Sequence, residues 1–573
     1  MKSNPRWRLI TIVAFFLLFS LIIAGNLYKV QVYSHDAYTR IADKQYSNGE
    51  GDIFDRGQIY FTSKDGNKVS FAGVKEGYIV VAEINKIIDV EDTFSKISAV
   101  IPLDKDDFLN KLNKKSVTSV ELARHIEIDK GDEIKAKKIP GIRLAKERWR
   151  FYPGNEQASH VIGYFGYGKD STLSGQYGLE NFYENVLTRK DENLYGNFIA
   201  DLFINFKKTV VDGEDLSGDV VAGIEPTVEN ELEINLNKIQ KAWNPELVGG
   251  IIMDPKDGKV LAMASLPSFN PNSYGSAKNG RVYANPLVQG RYELGSIMKP
   301  LTMAAGLDSG AITAKSTYKD TGSITLNGRT IRNHDGKVHG VTSMQEILSQ
   351  SLNLGASYVA LKMDVDSDKS FGAYMERFGL GTSTGIDLPY ELNGDIRNVK
   401  SKREVERATA SFGQGIAVTP IEMVRALASL ANGGYLITPH VADSLEYRLG
   451  TSKVVDGGEP VRILKKETTD DVTKMLVKVV DEVLKNGTVK MDRWSIAAKT
   501  GTAQIADPVN GGYYKDRFLH SFFGYFPAND PKFVVFLYQL YPKGAQYASE
   551  TLTDPFIDLT KFLLNYYEVP PDR

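Results

Sequence analysis

Residues 292–300 read Tyr-Glu-Leu-Gly-Ser-Ile-Met-Lys-Pro, which places Ser296 three positions before Lys299 at the start of an apolar run. Side chains three apart share one face of a helix, so a helix beginning near Ser296 would bring the lysine ammonium beside the serine hydroxyl. Pro300 is compatible with this start, because the first turn has no carbonyl partner to lose. A lysine can activate a serine when burial or a nearby cation lowers the lysine pKa. The stretch therefore predicts Ser296 as a nucleophile and Lys299 as its base.

The spacing alone is weak evidence, because a second Ser-x-x-Lys occurs at Ser316 and Lys319. That copy is followed by Asp-Thr-Gly at 320–322, and no apolar helix continues from it. The first copy has a glycine before it and a helical run after it. We therefore predict that the nucleophile is Ser296, and that the second copy is an exposed pair that happens to share the spacing.

Two further motifs follow in order, Ser351-Leu352-Asn353 and then Lys-Thr-Gly-Thr at 499–502. Together with Ser-x-x-Lys they form a three-part signature of penicillin-recognising serine enzymes. We expect the Ser351 hydroxyl to relay a proton, and the Asn353 amide to hold Lys299 and a substrate amide. Without the other two motifs, Ser351 would be interpreted as an ordinary helix-terminal serine.

The third motif lies in a run that reads as a strand with a lysine and a glycine inside it. Gly501 indicates close approach of another chain or a ligand. The Lys499 cation, aided by the Thr500 and Thr502 hydroxyls, can bind a substrate carboxylate. The backbone N–H groups of Ser296 and Thr502 are the predicted oxyanion donors.

Composition excludes several kinds of site. The chain has 573 residues, 42% of them hydrophobic, which is ample for a large core. A formal net charge of −2 gives no reason to expect nucleic acid binding. The absence of cysteine excludes disulfides and thiolate metal sites. The seven histidines show no metal-ligand spacing, so we predict no catalytic metal and no cofactor.

The N-terminus contains a candidate membrane helix. Residues 9–27 carry no charge, and at 1.5 Å per residue they span about 28 Å, close to the thickness of a bilayer core. Lys2, Arg6 and Arg8 precede the run and predict a cytoplasmic N-terminus. A cleaved signal peptide ending near Ala24 and a buried core helix are the alternatives. We favour an uncleaved anchor, because the run is longer than a usual signal core and continues without a turn.

The pattern divides the chain into four parts. We predict a cytoplasmic tail at 1–8, a transmembrane helix at 9–28, an elongated mixed pedestal at 29–216 and a catalytic domain at 217–573. Within the pedestal, 160–166 reads as a strand that ends in glycine. Apolar runs at 248–263, 522–526 and 532–540 predict strands that open and close the last part, with helices between them. The expected fold is α+β, one antiparallel sheet covered by helices.

The chain resembles the class B penicillin-binding proteins, which are monofunctional peptidoglycan D,D-transpeptidases of bacterial division or elongation. The resemblance rests on the apolar N-terminal segment, the three motifs and the stretches 150–153, 160–164, 177–180, 253–255, 263–272, 384–389, 412–420 and 431–434. It implies a dimerisation-like pedestal and a transpeptidase domain on the outer side of the cytoplasmic membrane. It also implies a stem peptide ending in D-Ala-D-Ala as acyl donor, and β-lactam inhibition through acylation of the serine. The implied partners are a SEDS-family glycosyltransferase and other divisome or elongasome membrane proteins.

One departure concerns the early pedestal, where such proteins commonly carry Arg-Gly-x-Ile-x-Asp-Arg-x-Gly. Here Glu50 replaces the first arginine, and the last glycine comes one place early, at Gly57. The septal and elongation types both remain open, with a slight preference for the septal type. Other functions also remain open: a D,D-carboxypeptidase, a β-lactam-hydrolysing enzyme, and a catalytically silent scaffold or β-lactam sensor.

Overall fold

The computed structural model describes residues 55–113, 117–168, 171–189, 216–277, 279–363, 365, 367–448 and 450–573. The predicted tail and transmembrane helix at 1–28, and the departure at Glu50, lie outside these residues. Within the described ranges, no helix has both the length and the apolar character needed to cross a membrane. The described residues form two compact units. The first contains Val74–Trp149, and the second contains Arg56–Gly73 and Arg150–Arg573.

In the first unit, strands and helices enclose a small core. The later part of strand Lys68–Glu83 pairs antiparallel with Ser119–Ile126, and Ile142–Phe151 pairs with the same long strand. The helices of this unit are Val90–Ser98, Lys105–Leu112 and Ile128–Ala136, with a 3₁₀ turn at Ile84–Lys86. The side chains of Asp89 and Asp104 cap the first two helices. The core contains Val80, Ile97, Phe108 and Ile134.

The second unit is built on a five-stranded antiparallel sheet, which we name the central sheet. Its strands stand in the spatial order Ala497–Ala506, Tyr513–Phe526, Phe533–Leu540, Leu247–Met253 and Val260–Leu266. The predicted α+β fold, with strands that open and close this part of the chain, is confirmed.

Helices cover both faces of the central sheet. Successive side chains of a strand point to opposite faces, so Val535 and Leu537 enter one core while Phe536 and Tyr538 enter the other. The first core is covered by helices Pro226–Trp243 and Thr553–Tyr566. The second core is covered by helices Lys299–Ser309, Met344–Ser349, Asn353–Lys362, Phe371–Arg377, Glu404–Ala410, Pro420–Ala431 and Lys466–Lys478.

Shorter elements complete the second unit. A further sheet contains Ser452–Val454, Ala442–Tyr447, Gly218–Ala222, Ile59–Thr62 and the start of Lys68–Glu83. The remaining strand pairs are Tyr164–Tyr167 with Leu173–Gln176, Thr317–Asp320 with Gly340–Ser343, Ser323–Leu326 with Arg329–Arg332, and Tyr435–Leu436 with Val461–Arg462. The short helices and turns are Ser159–Ile162, Gly178–Phe182, Glu184–Leu187, Pro271–Ser276, Gly280–Tyr283, Pro286–Gln289, Gly295–Met298, Arg397–Lys400, Val479–Val483, Leu484–Gly487 and Ala548–Thr551.

The predicted strand at 160–166 is wrong in its first half. Ser159–Ile162 is a short helix, and Gly163, at φ 77°, turns the chain into strand Tyr164–Tyr167. The His160 ring is buried, with Nε2 2.9 Å from the Val282 carbonyl oxygen and Nδ1 3.2 Å from Ser265 Oγ. These partners are distant in sequence, so the local pattern could not predict the helix.

A buried ion cluster ties separate segments of the second unit together. Arg56 Nε donates to Glu180 Oε2 at 2.7 Å, and Arg150 Nε donates to Glu180 Oε1 at 2.6 Å. The Tyr152 hydroxyl donates to the same carboxylate at 3.1 Å. Burial would raise the pKa of Glu180, but the two guanidinium groups outweigh burial and hold that pKa below its ordinary value. The cluster therefore stabilises Glu180 as a fully buried carboxylate.

Candidate active site

The predicted catalytic pair lies where a tight turn becomes a helix. Gly295–Met298 is a 3₁₀ turn, and the α-helix Lys299–Ser309 follows it directly. Side chains three apart eclipse one another in a 3₁₀ turn, so Ser296 and Lys299 leave the chain on the same side. Gly295 has φ 65°, and a Cβ there would lie 2.7 Å from the Thr502 carbonyl oxygen. The turn thus packs against the third motif so closely that only glycine fits.

Lys299 is almost completely buried and surrounded by acceptors from the second motif. Its Nζ donates to the Ser351 carbonyl oxygen at 2.5 Å, to Ser351 Oγ at 3.1 Å and to Asn353 Oδ1 at 2.9 Å. Burial, and then the charge of Lys499, lower the pKa of Lys299 well below its ordinary value. In this environment the lysine side chain can exist as a neutral amine, which is the form that accepts a proton.

Lys499 approaches the same hydroxyl from the central sheet. It lies on strand Ala497–Ala506, and its Nζ donates to Ser351 Oγ at 3.2 Å and to the Thr500 carbonyl oxygen at 3.0 Å. Burial lowers the pKa of Lys499 to about 8, so this ammonium keeps its charge near neutral pH. The structure therefore brings two buried lysines, both with lowered pKa, to one serine.

Ser351 lies between helices Met344–Ser349 and Asn353–Lys362, and Asn353 is the first residue of the second helix. Ser351 has φ 53°, a left-handed conformation that is costly for a residue with a side chain. The Asn353 side chain accepts from Lys299, and its Nδ2 donates to the Arg332 carbonyl oxygen at 3.1 Å. Ser351 is thus held by its hydrogen bonds with Lys299 and Lys499, and Asn353 by its hydrogen bonds with Lys299 and Arg332.

The rest of the third motif is packed against neighbouring strands and turns. A Cβ on Gly501 would collide with Ser521 Oγ and would lie 2.6 Å from the Leu294 carbonyl oxygen, so the predicted close approach is made by the protein chain. The Thr502 hydroxyl accepts from the Ala548 backbone N–H at 3.0 Å. Thr500 and Thr502 both face the groove described next.

A groove of about 660 Å³ opens beside Ser296. Residues from all three motifs line it, namely Ser296, Ser351, Asn353, Thr500 and Thr502. The two buried lysines meet at Ser351 Oγ beneath this lining. A hydroxyl, a low-pKa amine and a cation thus converge on a cleft large enough for a peptide.

The second Ser-x-x-Lys copy has a different environment. The Ser316 hydroxyl accepts from the Thr313 backbone N–H at 2.9 Å, and Lys319 is exposed on strand Thr317–Asp320. Neither residue lines the groove.

A contact just before the turn Gly295–Met298 was not predicted from the sequence. The Tyr513 hydroxyl lies 2.9 Å and 3.2 Å from the two carboxylate oxygens of Glu293, and the Gly415 backbone N–H donates to Glu293 at 3.1 Å. Burial raises the pKa of Glu293, with the Tyr513 and Gly415 hydrogen bonds acting in the opposite direction. The position of Glu293 inside the first motif was the available signal, but nothing local indicates the partner Tyr513.

Comparison with known proteins identifies the family of both domains. The family model described as the penicillin binding protein transpeptidase domain matches residues 248–558, and the penicillin-binding protein dimerisation domain matches 54–194. The chain is similar to stage V sporulation protein D of Bacillus subtilis (strain 168), with 29% identity across 96% of this chain and 84% of that protein. It is also similar to the peptidoglycan D,D-transpeptidase FtsI of Escherichia coli (strain K12), with 27% identity across 99% of this chain and 93% of that protein.

The solved structure of penicillin binding protein 2X from Streptococcus thermophilus has the same fold. It matches with a TM-score of 0.70 at 21% identity, covering 91% of this chain and 81% of that chain. The transpeptidase-domain model spans more than half of the chain, and the dimerisation-domain model precedes it. The chain therefore belongs to the class B penicillin-binding proteins.

Proposed function

We propose that this protein is a peptidoglycan D,D-transpeptidase that crosslinks stem peptides through an acyl-enzyme on Ser296. Lys299 Nζ accepts the Ser296 proton while the serine oxygen attacks the carbonyl of the penultimate D-alanine. The N–H groups of Ser296 and Thr502 stabilise the oxyanion, and the terminal D-alanine leaves with a proton relayed through Ser351. An amine of a second stem then attacks the ester and gives one proton to Lys299; the amide crosslink forms, and the Ser296 oxygen leaves with that proton.

The observation that carries the proposal is the convergence of two buried lysines on Ser351 Oγ, at 3.1 Å and 3.2 Å. The two lysines have different tasks. Burial and a neighbouring cation favour the neutral form of Lys299, which suits a base. Lys499, with a pKa of about 8, remains cationic and can bind the terminal carboxylate of the donor peptide and of β-lactams.

The lining of the groove argues against one kind of hydrolase. Class A β-lactamases use a glutamate to activate the water that hydrolyses their acyl-enzyme. In this groove, no aspartate or glutamate is present among the described residues that line it. A silent scaffold or sensor is disfavoured because it would need neither the low-pKa lysine nor the second lysine beside it.

The proposed setting is the bacterial cytoplasmic membrane. The apolar run 9–27 with its basic flank would anchor the chain, leaving the pedestal (29–216) and the transpeptidase domain (217–573) on the outer side. A SEDS-family glycosyltransferase and other divisome or elongasome proteins are the proposed partners. Intact-mass measurement of the purified protein tests the anchor, and a mature chain that lacks the residues up to Ala24 would show a cleaved signal instead.

Labelling with a fluorescent penicillin tests the nucleophile. Ser296→Ala should abolish labelling, whereas Ser316→Ala, the matched control from the second Ser-x-x-Lys copy, should label like wild type. The reverse pattern would overturn the assignment. The reaction class is then tested with D-Ala-D-Ala peptides and an added amine: a crosslinked product supports a transpeptidase, and free acid as the sole product would indicate a carboxypeptidase.

A further inference from the structure

The outer part of the groove is cationic. Among its described lining residues, Arg332 and Lys515 carry charge at the exposed rim, and none is acidic. Burial and the nearby Lys299 lower the pKa of His334, so that imidazole is neutral near pH 7. The chain as a whole has a formal net charge of −2, so this local excess of positive charge is not a general property of the protein.

Arg332 belongs to the wall formed by the second motif. It ends the short strand Arg329–Arg332, and its carbonyl oxygen accepts the Asn353 side chain at 3.1 Å. In the part of the chain that the structure describes, its guanidinium has no hydrogen bond or ion pair. Asp335, a nearby carboxylate, pairs with His339 at 3.0 Å instead. The backbone of Arg332 is thus tied to a site residue while its charge remains available.

Lys515 belongs to the wall formed by the central sheet. It lies on strand Tyr513–Phe526, is exposed, and has no ion pair within the described ranges. The next cation on this strand, Arg517, stacks on the rings of Tyr514 and Tyr541 at 4.1 Å and 5.1 Å. Of these two neighbouring cations, Lys515 is therefore the one that faces the groove without a protein partner.

We propose that Arg332 and Lys515 form a subsite for a second carboxylate of the acyl-donor peptide, located outside its terminal dipeptide. This inference rests on the proposed function, because it requires a peptide that acylates Ser296. Lys499 is assigned to the terminal carboxylate, which leaves the two outer cations for another anionic group. Clefts lined by one sign of charge concentrate substrates of the opposite sign, so an acidic donor is selected over a neutral one.

Two isosteric peptides test the subsite with the full-length protein. Both are N-acetylated and end in D-Ala-D-Ala; one has glutamate as the third and fourth residues from the C-terminus, and the other has glutamine at both positions. The rate of D-alanine release below KM, with an excess of acceptor amine, gives kcat/KM. Wild type should prefer the acidic peptide by about tenfold, and Arg332→Gln and Lys515→Gln should each reduce the preference by about three- to fivefold, as expected for exposed ion pairs.

Controls separate this subsite from general effects. Lys337→Gln removes an exposed lysine outside the groove lining and should leave the preference unchanged, whereas Lys515→Arg should retain it. The preference should also decline as ionic strength rises from about 0.05 M to about 0.5 M, because exposed charges are screened. Both Arg332→Gln and Lys515→Gln should still be labelled to completion by a fluorescent penicillin, because neither change removes Ser296 or its base. Equal rates for the two peptides would overturn the subsite, and so would a full preference for the acidic peptide in the double variant that combines Arg332→Gln and Lys515→Gln. The proposed function is judged separately: it is still supported if penicillin acylation is lost only in Ser296→Ala.

Discussion

Replacing Lys499 by glutamine should move the pH dependence of acylation, because its charge opposes protonation of Lys299. The two nitrogens lie 3.1 Å and 3.2 Å from Ser351 Oγ, so they are no more than about 6.3 Å apart. At an effective dielectric constant of about 20, two charges at that distance repel by at least about 2.6 kcal/mol. Acylation requires neutral Lys299, so its rate rises with pH. Removing the neighbouring cation should shift the acidic midpoint upward by about one to two pH units.

The assay is the second-order rate of acylation by a chromogenic β-lactam, measured by rapid mixing between about pH 5 and pH 10. Lys499→Gln also weakens carboxylate binding, which lowers the height of the profile but not the position of its midpoint. Lys337→Gln makes the same charge change at an exposed site and should leave the midpoint in place. A midpoint that stays unchanged in Lys499→Gln, or moves to lower pH, would refute the assignment of Lys299 as the base.

Four other substitutions test three separate parts of the structure. Lys299→Arg should reduce the acylation rate by several orders of magnitude, because guanidinium cannot accept the proton, whereas Lys499→Arg should reduce that rate by about ten- to 150-fold. Comparable losses of rate in the two variants, measured by stopped-flow kinetics, would contradict the two roles. Tyr513→Phe removes the hydroxyl contact to Glu293 and should slow acylation about tenfold, while the melting temperature stays within about 2 °C of wild type. An unchanged acylation rate would show that this contact has no role in catalysis. Glu180→Gln leaves buried guanidinium charge uncompensated and should destabilise the fold by about 3 kcal/mol, measured by thermal unfolding; an unchanged melting temperature would show that the ion cluster adds no stability.

The sheet and the three motifs could be predicted because their signals are local. The hairpin at 248–263 is two apolar runs joined by a turn, and the structure has strands Leu247–Met253 and Val260–Leu266 there. Spacing within each motif likewise predicted that its residues share one face or one strand. The three motifs meet because the central sheet and the helices on it bring them together, and their order along the chain was enough to indicate the family.

The outer groove could not be predicted because its residues are placed by distant contacts. Arg332 and Lys515 lie on exposed strand segments with no hydrophobic pattern, and their common groove depends on how these segments pack. Ser351 was expected near a helix end, but the serine itself gives no sign of its positive φ, because the side chains that contact it, Lys299 and Lys499, are distant in sequence. The His160 helix was missed for the same physical reason, because partners far along the chain determine it.

The glycines around the nucleophile turn limit how this protein can evolve under antibiotic selection. A side chain at Gly295 or Gly413 would press on the neighbouring backbone, and one at Gly501 would displace Ser521. Each change would move the serine away from both its natural substrate and the drug. We therefore expect resistance substitutions that preserve wall synthesis to spare these three glycines and to occur at positions where a new side chain does not move the turn.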